Sequence, residues 1–131
     1  MNPVFVDTSF YQAILNPRDH WHALALERSR QYKGPTITSE YVLCELGALM
    51  SAPPLRRLFA EFVQALHSSE HVEIVPASSR EFSAGFALFS SRLDKHWSLT
   101  DCISFAIMEE RKIHAALTFD RHFEQAGFRL A

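Results

Sequence analysis

Val4-Phe5-Val6-Asp7-Thr8-Ser9 is the stretch on which the reading of this chain turns. Three apolar residues of β type end on an acid and two hydroxyls, which favour a turn or the N-cap of a helix. The stretch reads as a first strand passing directly into a helix. Tyr11, Ile14 and Leu15 continue the helical spacing to Asn16-Pro17, and Trp21, Leu24, Ala25 and Tyr32 outline a second helix ending near Gly34-Pro35.

The same alternation continues downstream. Thr36-Ile37-Thr38 reads as a small strand, and a helix follows from about Ser39 to Met50. Pro53-Pro54 opens the next helix, with Leu55, Leu58, Phe59, Phe62, Val63 and Leu66 on one apolar face. Val72-Glu73-Ile74-Val75 is a strand, followed by a helix with Phe82, Phe86, Phe89 and Leu93 on one side. Ser98-Leu99-Thr100-Asp101 starts a further helix, apolar on nearly every side from Cys102 to Met108 and therefore expected deep in the domain. Ala115 to Phe119 and Phe128-Arg129-Leu130 are the last strands expected. Short apolar strands alternating with helices predict an α/β sandwich around a mostly parallel central sheet flanked by helices.

A chain of 131 residues fits one domain, residues 1–131, and 47% hydrophobic content with 11 Phe suits a packed core. The formal charge of -2 excludes bulk attraction to a polyanion, so nucleic acid would have to be held by local charge or by a metal. Cys44 and Cys102 lie in apolar stretches, as buried thiols of a reducing compartment would. With no basic leader followed by a long apolar core and no stretch long enough to span a membrane, the expected location is cytoplasmic.

Asp7 and Asp120 each follow an apolar strand, where polar residues of open α/β sheets converge on a ligand crevice. Asp101 joins them if its helix starts at the same rim. Glu45 falls on the shoulder of the stripe formed by Val42, Leu46 and Leu49, from which a carboxylate can enter a cleft. Oxygen ligands of this kind suit Mg²⁺ or Mn²⁺. Each acid also has a plain structural reading: Asp7 and Asp120 as caps, Asp101 in a capping box with Ser98, Glu45 as a solvated helix residue. Capping alone does not require four acids to converge. Glu40, at a helix start, reads as a first-turn acid. The chain carries no GxSxG elbow, HExxH pair or Gly-rich phosphate loop.

Phe5-Val6-Asp7-Thr8-Ser9, Val42 with Glu45-Leu46, Trp97-Ser98-Leu99-Thr100-Asp101-Cys102-Ile103-Ser104-Phe105 and Leu117-Thr118-Phe119-Asp120-Arg121-His122-Phe123 resemble, in order and separation, the motifs of PIN-domain ribonucleases. The resemblance spans essentially the whole chain. It implies a PIN-like three-layer sandwich and Mg²⁺- or Mn²⁺-dependent endonuclease activity on RNA. The acidic set carried over is Asp7, Glu45, Asp101 and Asp120, with Thr8 and Thr118 as supporting hydroxyls. Small free-standing members are typically VapC-type toxins that are neutralised by a cognate VapB-type antitoxin and commonly dimerise, so such an antitoxin and a homodimer are the expected partners.

Lys95, His96 and Arg121 adjoin the acidic motifs and are the first candidates for RNA phosphates, with Tyr11 and Trp97 as candidates for base stacking. A dehalogenase-type phosphotransferase would need a second acid where Ser9 stands, and a receiver domain would need a neighbouring acid that Asp7 lacks. A housekeeping PIN nuclease without an antitoxin, or a PIN-like module that binds without cutting, are the remaining alternatives.

Overall fold

Five strands pair only in parallel in the computed structural model, which describes residues 2–131. They are β1 (Val4–Val6), β2 (Thr36–Ser39), β3 (Val72–Val75), β4 (Ala115–Leu117) and β5 (Arg129–Leu130), in the sheet order β3-β2-β1-β4-β5. β1 and β4 are buried at every position, as strands covered on both faces must be, whereas the edge strands β3 and β5 keep exposed residues. The helices are α1 (Thr8–Leu15), α2 (His22–Gln31), α3 (Glu40–Leu49), α4 (Pro53–Ser68), α5 (Ser79–Ser91), α6 (Leu99–Arg111) and α7 (His122–Gln125). No helix among the described residues is long and apolar enough to cross a membrane.

The chain moves outward from β1 through β2 to β3, then returns past its start to add β4 and β5 on the other side. With right-handed connections such a reversal sends helices to both faces and opens a crevice at the carboxyl ends of the strands where the order turns, here β1 and β4. In register, Phe5 lies beside Ala116 and Val6 beside Leu117, so Asp7 and Thr118 leave the sheet side by side.

An aromatic cluster fixes the elements around that crevice. Phe5, Phe105 and Phe123 are fully buried; Phe123 lies 6.4 Å from Phe5 and 4.9 Å edge-on from Phe105, centroid to centroid. Each shares a periodic face with an acid: Phe5 is two residues before Asp7 on a strand, Phe105 four after Asp101 on a helix, Phe123 three after Asp120. Burying three such rings contributes several kcal/mol, on the order of 2–3 each, and ties three distant segments to one geometry.

Two expectations change, and two apolar helix faces stay largely outside the core. β4 ends at Leu117 rather than Phe119, because the chain turns there and the Thr118 hydroxyl receives the Asp120 amide at 2.9 Å in place of a ladder bond. Cys102 is buried, but Cys44 lies on the outer side of α3 and is exposed. Phe82, Phe86 and Phe89 share one side of α5 but point outward, and Leu93, beyond the helix end, is 88% exposed. The reason is Gly85: α5 packs through it so closely on α6 that an added Cβ would stand 2.7 Å from Ile103 Cα, so the small residue rather than the Phe row faces the core. Likewise, of the apolar face of α4 only Leu66 is buried, and Leu55 and Leu58 are exposed.

Candidate active site

Asp7 is the N-cap of α1, and its position is held from three directions. Its amide donates to the Leu117 carbonyl at 3.1 Å. Its Oδ2 accepts the hydroxyls of Ser9 and Thr118, each at 2.9 Å. Ser9 Oγ in turn receives the Phe119 amide at 2.9 Å. These bonds stitch the end of β1 to the end of β4, segments 111 residues apart, around one carboxylate.

Asp101 forms the capping box of α6: Ser98 Oγ accepts the Asp101 amide at 3.0 Å and Asp101 Oδ2 accepts the Ser98 amide at 3.1 Å. Asp120 Oδ1 accepts the His122 amide at 2.9 Å, opening α7. Asp7 and Asp101 thus cap helices as well as converge, whereas the N-cap of α7 is Arg121 and Asp120 is aimed by its bond to the His122 amide rather than by a cap. His122 Nδ1 stands 3.1 Å from Asp101 Oδ2 and 3.1 Å from Asp120 Oδ1. Among the described residues no Lys or Arg pairs with Asp7, Glu45, Asp101 or Asp120.

An open cleft of about 300 Å³ is lined by all four predicted acids, together with Thr8, Ser9, Gln12, Leu49, His96, Ser98 and His122. Glu45 enters half-buried from α3, on the shoulder between the buried Val42 and Leu46. Glu40 is elsewhere, its Oε1 accepting the Ala77 amide at 2.7 Å. The Thr8 hydroxyl is buried without a partner among the described residues, and Thr118 bonds Asp7.

Burial drives the electrostatics. Asp7 is pushed up from 3.8 to about 6, chiefly because its charged form is desolvated; the Ser9 and Thr118 hydroxyls offset part of this and the Asp101 and Asp120 charges add to it. Asp101 is also raised, by burial first and by Asp120 second, against the Ser98 amide and His122. A hard divalent ion fits the acidic cluster: carboxylate oxygens from several elements, a buried hydroxyl without a partner among the described residues, and acids that burial holds above their ordinary range. The atoms of Asp101, Asp120 and His122 that would serve as ligands lie within 4.8 Å of one another.

Of the RNA-contact candidates, only His96 lines the cleft. Lys95 stands over the Trp97 ring at 5.6 Å and lines a separate hollow, and Arg121 lines a neighbouring groove. Tyr11 and Trp97 are both 6% exposed, which removes them as stacking surfaces. Sequence reasoning missed Ser9 and His122, although both stand inside the quoted motifs. The Ser9 signal is a second hydroxyl on the turn after the first strand. His122 leaves no signal in its spacing, because its partners are 21 residues away and two residues away on different elements.

The PIN-domain family model matches residues 4–129, and the chain belongs to the PIN-domain family. Within that family its kinship is with the VapC-type members. It is 33% identical over 127 residues, 95% of each chain, to the 23S rRNA-specific endonuclease VapC20 of Mycobacterium tuberculosis. The crystal structure of that protein, described as a sarcin–ricin-loop-cleaving toxin, superposes with a TM-score of 0.86 at 28% identity over 95% of both chains. The structure of VapBC2 from Rickettsia felis bound to a promoter DNA fragment shares the fold, with a TM-score of 0.69 at 14% identity, over 99% of this chain and 98% of that one.

Proposed function

We propose that the chain, acting as a single domain, is a divalent-cation-dependent endoribonuclease of VapC type, the toxin of a toxin–antitoxin pair. The observation that carries this reading is the meeting of Asp7, Glu45, Asp101 and Asp120 in one cleft at the β1/β4 turning point, without a basic partner. These four acids are the catalytic and cation-holding set, and Mg²⁺ or Mn²⁺ is the ion their oxygens favour. When bound, the cation supplies the positive charge that holds a scissile phosphate and acidifies the attacking water.

The chain's own groups do the rest. Ser9 and Thr118 lock the Asp7 carboxylate in one orientation, and His122 holds Asp101 and Asp120 together against their repulsion. Burial raises the Asp7 pKa to about 6, so at neutral pH its carboxylate is already largely ionised and would be available to hold a cation. Water attacks phosphorus in line and the P–O3′ bond breaks. The products are a 5′-phosphate and a 3′-hydroxyl, and the 2′-hydroxyl takes no part.

The relative's substrate, 23S rRNA, is the first RNA to test, given identity over nearly the full length of both chains. The partner would be a VapB-type antitoxin whose C-terminal segment inserts an Arg or Lys into the acidic cleft. An apolar groove lined by Leu15, Pro17, Leu49, Met50 and Leu55 shares Gln12 and Leu49 with the cleft, and supports this route. The outward row of Phe82, Phe86 and Phe89 is the surface we assign to a homodimer. The test is to incubate purified protein with ribosomal RNA in Mg²⁺, Mn²⁺ or EDTA and map the ends. Cation-dependent cuts carrying 5′-phosphates are expected; cuts that persist in EDTA or leave cyclic phosphates would defeat the mechanism.

A further inference from the structure

On the far side of Asp120 from the acidic cleft is a groove of about 160 Å³, lined by Trp21, Leu24, Arg28, Phe119, Arg121 and Glu124, among others; Asp120 lines both spaces. Its wall is a stack of rings. Trp21 lies parallel to Phe119, 5.1 Å between centroids at 4°, and Phe10 stacks on Phe119 at 5.7 Å and 16°. The Arg28 guanidinium sits 5.4 Å from the Phe119 centroid.

The His20 ring also packs against Trp21, 4.7 Å between centroids at 84°, and Trp21 nevertheless remains 43% exposed, an unusual state for an indole whose neighbours already hold it in place. Arg28 and Arg121 form no salt bridge among the described residues. A part-exposed indole beside guanidinium groups that no carboxylate pairs is the equipment with which proteins hold unpaired bases and their phosphates. Asp120 and Glu124 make the charge of the groove mixed, which suits one base with its flanking phosphate better than a backbone lying along the floor.

We propose that this groove is a nucleobase subsite: one unpaired base of the RNA, adjacent to the scissile phosphate, stacks on Trp21, with Arg28 and Arg121 as the cations available to the adjoining phosphate. The inference rests on the nuclease reading and adds a specificity element to it. Phe119, bonded through its amide to Ser9, links the floor of the subsite to the Asp7 network, so the base and the reacting phosphate share one rigid support.

Two measurements test it separately from cleavage itself. The chain has two tryptophans, and Trp97 is buried, so in a W97F protein the fluorescence reports Trp21. With Ca²⁺ in place of Mg²⁺, a short unpaired RNA should quench that signal, and quenching should be lost in W21L. In cleavage assays W21L should raise KM about tenfold with little change in kcat, W21Y should restore KM, and an abasic residue at one flanking position should mimic W21L without adding to it. Melting of each variant excludes loss of fold as the cause. An unchanged KM in folded W21L would overturn the subsite, as would quenching by an antitoxin C-terminal peptide but not by RNA, which would make the groove a protein surface. If the wild-type protein cuts no RNA, the nuclease reading fails, and the Ca²⁺ titration still decides whether Trp21 receives a base.

Discussion

The imidazole Nδ1 of His122 lies 3.1 Å from Oδ2 of Asp101, a carboxylate that burial holds above its ordinary pKa range. His122 is one of the groups that lower the Asp101 pKa, and Asp120 lies at the same 3.1 Å distance. Removing the ring leaves two acids facing each other.

His122→Ala should therefore weaken cation binding about 10–100-fold, the usual cost of losing a group that orients ligand carboxylates. Calorimetric titration with Mn²⁺ measures this. A Kd within about twofold of the wild type would show that the imidazole is a bystander at the cleft rim.

Asp101→Asn and Asp101→Ala should differ in stability but not in activity. An Asn side-chain oxygen can still accept the Ser98 amide, so the capping box keeps its return bond and the fold is retained. Ala loses that bond and should cost about 1 kcal/mol. Both should lose most cleavage. Growth arrest by induced Asp101→Asn as strong as the wild type's would reduce Asp101 to a cap.

Thr118→Val removes the hydroxyl that donates to Asp7 Oδ2 and accepts the Asp120 amide, leaving the buried Asp7 carboxylate with the Ser9 hydroxyl and the half-buried Asp120 amide without its acceptor. Destabilisation of about 1–3 kcal/mol is expected, with loss of activity, because both acids lose a positioning bond. Thr118→Ser should recover most of each. Urea melts of the two variants make the comparison.

The sequence carried the sheet class and the acids because both depend on local chemistry. Apolar runs ending on Asp mark the ends of β1 and β4, and the Ser98–Asp101 spacing marks the start of α6. What it did not carry depends on which face of an element meets the core. The Phe row of α5 has the periodicity of a buried stripe, and only the close approach at Gly85 turns it outward. His122 and Ser9 escaped for a related reason: their partners are set by the β1–β4 register, which is a property of the folded sheet.

The raised pKa of Asp7 gives stability a defined pH dependence in metal-free protein. A carboxyl with a folded pKa near 6 and an ordinary value of 3.8 stabilises the fold fully below about 3.8 and loses that contribution as pH rises through 6. The full difference is on the order of 3 kcal/mol, of which roughly half is recovered between pH 7.5 and pH 5. Urea unfolding in EDTA at these two pH values should show the gain, and Asp7→Asn should shrink it to the share that Asp101, also raised by burial, contributes. An equal gain in Asp7→Asn would assign the titration to other groups.

A bound cation reverses that penalty, and the reversal gives the sharpest test of the site. At neutral pH the ionised, buried acids oppose folding when no positive charge is present, so Asp7→Asn should raise the melting temperature in EDTA. With cation at a hundredfold excess over its Kd, binding to the native state adds about 2.7 kcal/mol, on the order of 10 °C for a chain of this length. The wild type should gain that increment in Mn²⁺ or Mg²⁺, and Asp7→Asn/Asp120→Asn should gain almost none. The two proteins should thus exchange order, the variant melting higher in EDTA and the wild type higher with metal. A structural salt effect would move both alike, and a site elsewhere on the chain would leave the variant's gain intact. Only a cation held by these carboxylates makes the same side chains destabilising in one condition and stabilising in the other.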